Sequence, residues 1–216
     1  SLKRLGTDYI DLYYQHRIDA NTEPETVASV IAELIRAGKI RAWGISEATD
    51  NYLRRAHVVC PVATIQNRFS MMARHHEVLF HVLEDLGVGF VAFSPMANGL
   101  LTGQYSGKEA FTASDYRSRM PQFSEEAAQQ NLELLSLLNK MAGEKSATPA
   151  QISLAWMLCK KPFIVPIPGS RNIARMRENA GAAEVVLAPC EVALLDAALD
   201  RIPMSAVFGG MAIKKE

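Results

Sequence analysis

The residues able to do chemistry stand where apolar runs stop. "YIDLYYQHRID" passes through Tyr and Ile and then ends in Gln15, His16 and Arg17. A buried strand seldom closes on a histidine unless something at that end needs it. Four further runs stop in the same way. "IRAWGIS" ends at Ser46 and Glu47, and "VATIQN" at Gln66 and Asn67. "VGFVAFS" ends at Phe93 and Ser94 before "PMANGLLTG", and "FIVPIP" gives way to "PGSRN". Any one of these is what a strand leaving through a polar loop produces. Together they suggest one site, because parallel α/β folds bind ligands at the carboxyl ends of their strands. "IPGSRNIARMREN" adds a Gly turn and a helix start with Ser170 and Asn172 near it. The free N–H groups and dipole of such a start suit a phosphate. Arg171 and Arg175 are four apart, so a shared helix face is expected. Their guanidinium forks could hold the phosphate; a solvated basic face is the alternative.

Other candidates carry no such chemistry. "GVGFVA" (87–92) fits a dinucleotide pattern but precedes a strand instead of following one. "HEVLFH" spaces His76 and His81 five apart, which does not share a helix face, so surface histidines are expected there. His57, beside Arg54 and Arg55, is expected to be exposed. "GISEA" would need a later histidine to act as a hydrolase elbow, and none follows His81. Among 216 residues, 23 Lys and Arg balance 23 Asp and Glu, which argues against a nucleic-acid-binding stripe. Cys60, Cys159 and Cys190 lie far apart and form no CxxC pair or disulfide framework, so a reducing, cytoplasmic setting is expected. No apolar run approaches the roughly 20 residues of a membrane span, and "SLKRLGTDY" lacks the apolar core of a signal peptide.

The elements that must position these residues alternate. Strands are expected at "YIDLYYQ", "IRAWGIS", "VATIQN", "VGFVAFS" and "FIVPIP". Helices are expected at "TVASVIAELIRAGK", stopped by Gly38, and at "DNYLRRAHVV", capped by Thr49. Others are expected at "HEVLFHVLEDLG", at "SEEAAQQNLELLSLLNKMAGEK" as one long helix, and at "AQISLAWMLC" opened by Thr148-Pro149. "NIARMRENA" and "EVALLDAALDRI" complete the set. Strands alternating with helices imply parallel strands, apolar on both faces, joined by right-handed crossovers. A doubly wound open sheet and part of a (βα)8 barrel both satisfy this. The 106–123 loop is long for such folds, and loops of that length are usually functional or mobile.

"SLKRLGTDYIDLYYQHRID", "GKIRAWGISEA", "FSPMANGLLTG", "TPAQISLAWML" and "IPGSRNIARMREN", in this order, resemble the aldo-keto reductase family from residue 1 to about residue 200. The resemblance implies an α/β (βα)8 TIM barrel, here five βα units plus extra helices. It also implies NADP(H) as cofactor and hydride transfer to a small-molecule aldehyde or ketone. Position by position, His16 matches the catalytic histidine. Ser46 and Gln66 match the residues that hold the nicotinamide carboxamide, and Glu47 stands where many members have Asn. Phe93 matches the aromatic residue stacked on the nicotinamide. Ser94, Met96 and Gly99 match the loop around the pyrophosphate, where Ala97 and Asn98 replace a frequent Gly-Arg. Ser170, Arg171, Arg175, Glu178 and Asn179 match the contacts to the adenosine 2′-phosphate and adenine. Gly169 replaces a Lys found in one branch, and Arg171 could supply that charge.

The same resemblance implies a catalytic set of Asp, Tyr, Lys and His, of which only His16 has a counterpart here; the first strand matches the family's fourth. Residues 1–216 are thus expected to form a single barrel domain lacking its first three βα units. Exposed strand edges would then invite self-association, with no nucleic-acid or membrane partner expected. A catalytically inactive cofactor-binding or sensing module of the same fold is the alternative. The substrate is not legible, because the loops at 17–25 and 106–123 and the tail after Ile202 carry no signature.

Overall fold

The computed structural model describes residues 1–105 and 111–208. The chain alternates helices and strands, and the hydrogen-bonded strand order is β1-β2-β3-β4-β5. It divides into two compact units, Ser1–Asn67 with Glu77–Val91, and Arg68–His76 with the chain from Ala92 onward.

The first unit opens with the short helix α1 (Leu2–Leu5), stopped by Gly6 in the left-handed region. Strand β1 (Ile10–Gln15) pairs in parallel with β2 (Ile40–Ser46), and β2 pairs in parallel with β3 (Thr64–Arg68). Helix α2 (Pro24–Arg36) joins the first two strands and ends at Ala37, with Gly38 at φ 68° just beyond, as its sequence requires. Helix α3 (Asp50–Val59) is capped by the Thr49 hydroxyl, which accepts from Tyr52 N–H at 3.4 Å. Helix α4 (Phe80–Leu86) follows a 3-10 turn and stops at Gly87, leading into β4 (Gly89–Phe93).

Alternation along the strands separates two faces. Trp43, Ile45, Ile65 and Phe90 are fully buried, with Leu53 and Ala56 of α3 and Leu83 of α4 also in this core. The opposite face is small and polar. A Cβ on Gly44 would stand 2.3 Å from the Tyr14 ring and 2.7 Å from Thr64 Oγ1. Glycine here lets Tyr14 lie across β2 so that its hydroxyl bonds to the Thr64 hydroxyl at 2.5 Å. Strand β1 is not buried as the apolar pattern suggests. None of its residues is buried, and Leu12 is 37% exposed, because β1 ends the strand order and pairs with β2 alone among the described strands.

The second unit carries the end of β4 and strand β5 (Ile164–Pro166), with Ile167 N–H bonded to Ala92 O at 3.0 Å. β5 is shorter than "FIVPIP" suggests, because Pro166 and Pro168 have no N–H to donate. The expected long helix is two: α5 (Glu125–Gln130) and α6 (Leu132–Glu144). Between them Asn131, fully buried, donates to Ser205 Oγ at 2.9 Å and accepts from Ser205 N–H at 3.0 Å. Helix α7 (Pro149–Lys160) starts with a reciprocal Thr148–Gln151 capping box. Its Trp156 stacks on Phe69 at 5.4 Å and donates to Asp196 at 2.9 Å. Helices α8 (Ile173–Ala180) and α9 (Pro189–Arg201) follow. No described helix is long and apolar enough to cross a membrane.

Candidate functional site

In the first unit three strand ends are tied together. Ser46 closes β2 opposite Gln66 of β3 and donates from its hydroxyl to Gln66 O at 3.1 Å. Arg17 donates to Ser46 Oγ at 3.2 Å and to His16 O at 2.6 Å. This draws the residues just past β1 toward β2 and leaves the His16 side chain exposed. Ser46 is buried, with its hydroxyl fixed from two sides. Glu47 sits at φ 59°, the left-handed region where Asn is better tolerated than Glu. The Asn that the resemblance expects at this position would meet that backbone at less cost. Asn67, fully buried, holds the next turn by accepting from Ala48 N–H and donating to Ala48 O.

In the second unit a cavity of about 520 Å³ gathers Phe93, Ser94, Met96, Gly99, Ser170, Arg175, Glu178 and Asn179. That volume lies within the usual range for small-molecule sites. The loop after β4 is contorted: Ser94, Ala97 and Asn98 adopt φ of 55°, 47° and 60°, and Gly99 adopts 102°. A side chain at Gly99 would be strained by that φ and would press the Tyr105 ring at 3.2 Å. The loop is held from behind by Gln122, which is buried and donates to Ala97 O and Asn98 Oδ1, both at 3.3 Å. The same side chain accepts Phe208 N–H at 3.0 Å. At the far wall, Asn172 caps α8 by accepting from Arg175 N–H, and Ser170 Oγ accepts from Asn172 N–H. The Arg175 guanidinium donates to Gln104 at 3.1 Å.

Arg171 differs from its expected place. Helix α8 begins at Ile173 with Asn172 as cap, so Arg171 precedes the helix and shares no helical face with Arg175. It lines a neighbouring depression with Gly169, Ser170, Asn172 and Arg175 instead of the main cavity. Two histidines are also less open than expected. His57 is half-buried and its Nδ1 accepts from Val62 N–H at 3.2 Å. His76 is half-buried, its ring 4.1 Å from that of His75, and burial together with His75 lowers its pKa to about 4. No group of three or more metal-binding side chains converges among the described residues.

The cavity also holds residues that the sequence pattern did not single out: Arg68, Asn98, Tyr105, Tyr116, Arg117 and Phe208. Arg117 hydrogen-bonds the Tyr105 hydroxyl and pairs with Asp115 at 2.6 Å; this contact holds the Asp115 carboxyl down to about 2. Residues 106–110 of the long loop and the tail from residue 209 lie outside the described residues. For Arg68 the available signal was a charge closing the otherwise neutral strand "TIQNR".

A family model described as "Aldo/keto reductase family" matches residues 1–200. The chain belongs to the aldo/keto reductase family. Among curated relatives, aldo-keto reductase str7 of Strobilurus tenacellus is 41% identical over 197 residues, covering 89% of this chain and 59% of that protein. Aldo-keto reductase yakc [NADP(+)] of Schizosaccharomyces pombe is 37% identical over 204 residues, covering 93% of this chain and 60% of that protein. Among solved structures, the glycerol dehydrogenase AKR11B4 from Gluconobacter oxydans superposes with a TM-score of 0.86 at 26% identity, covering 93% of this chain and 62% of that one. The thermostable aldo-keto reductase Tm1743, solved with the inhibitor epalrestat, gives a TM-score of 0.72 at 31% identity, covering 91% and 62%. The chain thus spans about three-fifths of the length of the curated relatives it matches. Five parallel strands alternating with helices are the corresponding part of a (βα)8 barrel, so the fold class is that of the family and the open doubly wound sheet is set aside. The sensing-module alternative gains no support from relatives named as reductases.

Proposed function

We propose that the protein serves NADPH-dependent reduction of an aldehyde or ketone to an alcohol. The observation that carries this reading is the cavity where Phe93, Ser94, Gly99, Ser170, Arg175, Glu178 and Asn179 meet. Its parts suit a dinucleotide. Phe93 offers an aromatic ring to a nicotinamide. The Ser94–Gly99 loop, with its left-handed turns, would offer backbone N–H groups to a pyrophosphate. Ser170, Arg175 and the start of α8 supply hydroxyl, guanidinium and N–H donors for a ribose 2′-phosphate. Arg171 adds charge beside them. Glu178 and Asn179 offer acceptors and donors to adenine. A nicotinamide cofactor supplies a hydride to the carbonyl carbon. Ser46 and Gln66 are assigned to its carboxamide, the Ser46 hydroxyl being already oriented by Arg17 and Gln66 O. His16 is assigned to the carbonyl oxygen, which it would hydrogen-bond from the end of β1. The NADP(+) in the name of the fission-yeast relative supports this cofactor.

By the resemblance, the Asp, Tyr and Lys of the catalytic set have no counterpart among these 216 positions. General acid–base assistance is typically worth roughly 10² to 10⁴ in rate. The test is a fluorescence titration of the 216-residue chain with NADPH, followed by addition of a reactive aldehyde. Saturable NADPH binding that Phe93→Ala weakens, with negligible NADPH oxidation, is the expected result. Absence of binding rejects the reading. Brisk turnover by this chain would instead make His16 or a tyrosine present here the proton donor.

A further inference from the structure

Gln104 and Arg175 both line the cavity, and the Arg175 guanidinium donates to Gln104 Oε1 at 3.1 Å. A guanidinium has only donors, so the amide must turn its oxygen toward it. Gln104 is itself anchored. Its N–H donates to Thr102 Oγ1 at 3.4 Å, and that hydroxyl donates to Gly99 O at 2.7 Å. Gln104 thus ties the loop assigned to the pyrophosphate to the arginine assigned to the ribose 2′-phosphate. We infer that Gln104 is a positioning residue: it orients the Arg175 guanidinium for a 2′-phosphate without cancelling its charge, and so sets the preference for NADP over NAD. This rests on the reductase reading above and deepens it.

The contrast with Arg117 shows what a neutral partner does. The Arg117 guanidinium closes on the Asp115 carboxylate at 2.6 Å, and that pair offsets its charge. Arg175 has a carboxylate within reach along α8, since Glu178 follows it by three residues and lines the same cavity. Among the described residues the Arg175 guanidinium bonds to the uncharged amide of Gln104 instead. One of its five N–H donors is used there, and the others stay available to an anion. Its full charge stands beside Ser170 and Arg171 in the adjoining depression. Arg175 is also exposed, and a long exposed side chain otherwise samples many rotamers. The Gln104 contact removes part of that freedom before a ligand arrives, which favours binding. Because the contact itself is exposed, its effect is a few-fold one.

The test uses adenosine 2′-monophosphate and adenosine 5′-monophosphate, which share base, sugar and charge and differ in where the phosphate sits. Calorimetric titration of the chain should give the 2′-isomer about tenfold tighter binding, in line with charge-assisted hydrogen bonds to a phosphate. Gln104→Met, which keeps the length and removes the acceptor, should cut that preference about threefold. Gln104→Glu, which keeps the acceptor and adds a charge, should cut it further, because a carboxylate pairs with Arg175 and repels the phosphate. In an Arg175→Ala background, Gln104→Met should change nothing, since Gln104 acts through that guanidinium. A wild-type ratio near one, a ratio unchanged or raised in Gln104→Met, a Gln104→Glu ratio equal to the wild type, or an undiminished Gln104→Met effect in the Arg175→Ala background would each overturn the inference. A parallel NADPH titration separates the two readings. If the preference for the 2′-isomer follows Gln104 while NADPH fails to bind, the phosphate subsite stands and the reductase reading falls.

Discussion

Ser46 and Gln66 in the first unit take their direction from regular strands, whereas Ser94, Asn98 and Gly99 in the second take theirs from backbone in the left-handed region. On the strands, alternation alone puts small and polar residues on the face opposite Trp43, Ile45 and Ile65. In the loop, no local periodicity does so, and a buried amide, Gln122, holds the shape from behind. A site built on strands tolerates changes behind it, because the ladder keeps its register. One built on loop backbone depends on a few polar contacts that nothing can replace once they are removed.

Gln122→Leu should give the largest effect. It leaves Ala97 O and Phe208 N–H without their buried partner. We expect a loss of about 2–4 kcal/mol in urea unfolding, each orphaned group costing roughly 1–3 kcal/mol. An equal loss from a buried polar change on the strand side would erase the contrast.

Gly44→Ala probes the regular side. Its Cβ would strike the Tyr14 ring, so a loss of about 1–3 kcal/mol is expected, as for other overpacked positions. The same change made in a Tyr14→Ala background should cost much less. A full loss in both backgrounds would show that the strain lies in the backbone and not in Tyr14.

His76 sharpens the comparison through pH. Its folded pKa, about 4, lies below the ordinary 6.5, so the unfolded chain takes up a proton first as pH falls. Its neutral form is accommodated above pH 6.5, and stability should decline between pH 6.5 and 4 and then level off. Allowing for partial exposure, this amounts to about 1–3 kcal/mol. His76→Gln should flatten that slope in thermal melts taken across the window. An unchanged slope would remove His76 from the account.

How far the chain could be read from its sequence follows the same division. β2 at Ile40–Ser46 and α3 at Asp50–Val59 fall where alternation and the Thr49 cap place them, because those signals are local. The break at Asn131 depends on Ser205, 74 residues away, and periodicity cannot register it. Leu12 follows the apolar pattern of a buried strand, yet its exposure is set by the place of β1 in the strand order. His16, Ser46, Gln66, Ser94, Ser170 and the Arg171–Arg175 pair were singled out by position in the sequence, and the resemblance added Phe93, Met96, Gly99, Glu178 and Asn179. Arg68, Tyr105, Arg117 and Phe208 were not, since segments distant in sequence bring them to one cavity. Arg171 was misplaced because a spacing of four implies one face only inside a helix, and α8 starts two residues later.

The smallest effect expected is that of Arg171→Ala, a few-fold loss in NADPH affinity, since Arg171 faces the depression beside the cavity. Arg175→Ala, which alters the cavity wall itself, provides the most direct test of the central claim. Calorimetric titration of the wild-type chain and this variant with NADPH and NADH should show saturable binding of both nucleotides to the wild type, NADPH being the tighter. The variant should lose about tenfold for NADPH, in line with a charge-assisted hydrogen bond to a phosphate, and little for NADH. No saturable binding to the wild type, or equal losses for the two nucleotides, would contradict the assignment of this cavity to an NADP cofactor.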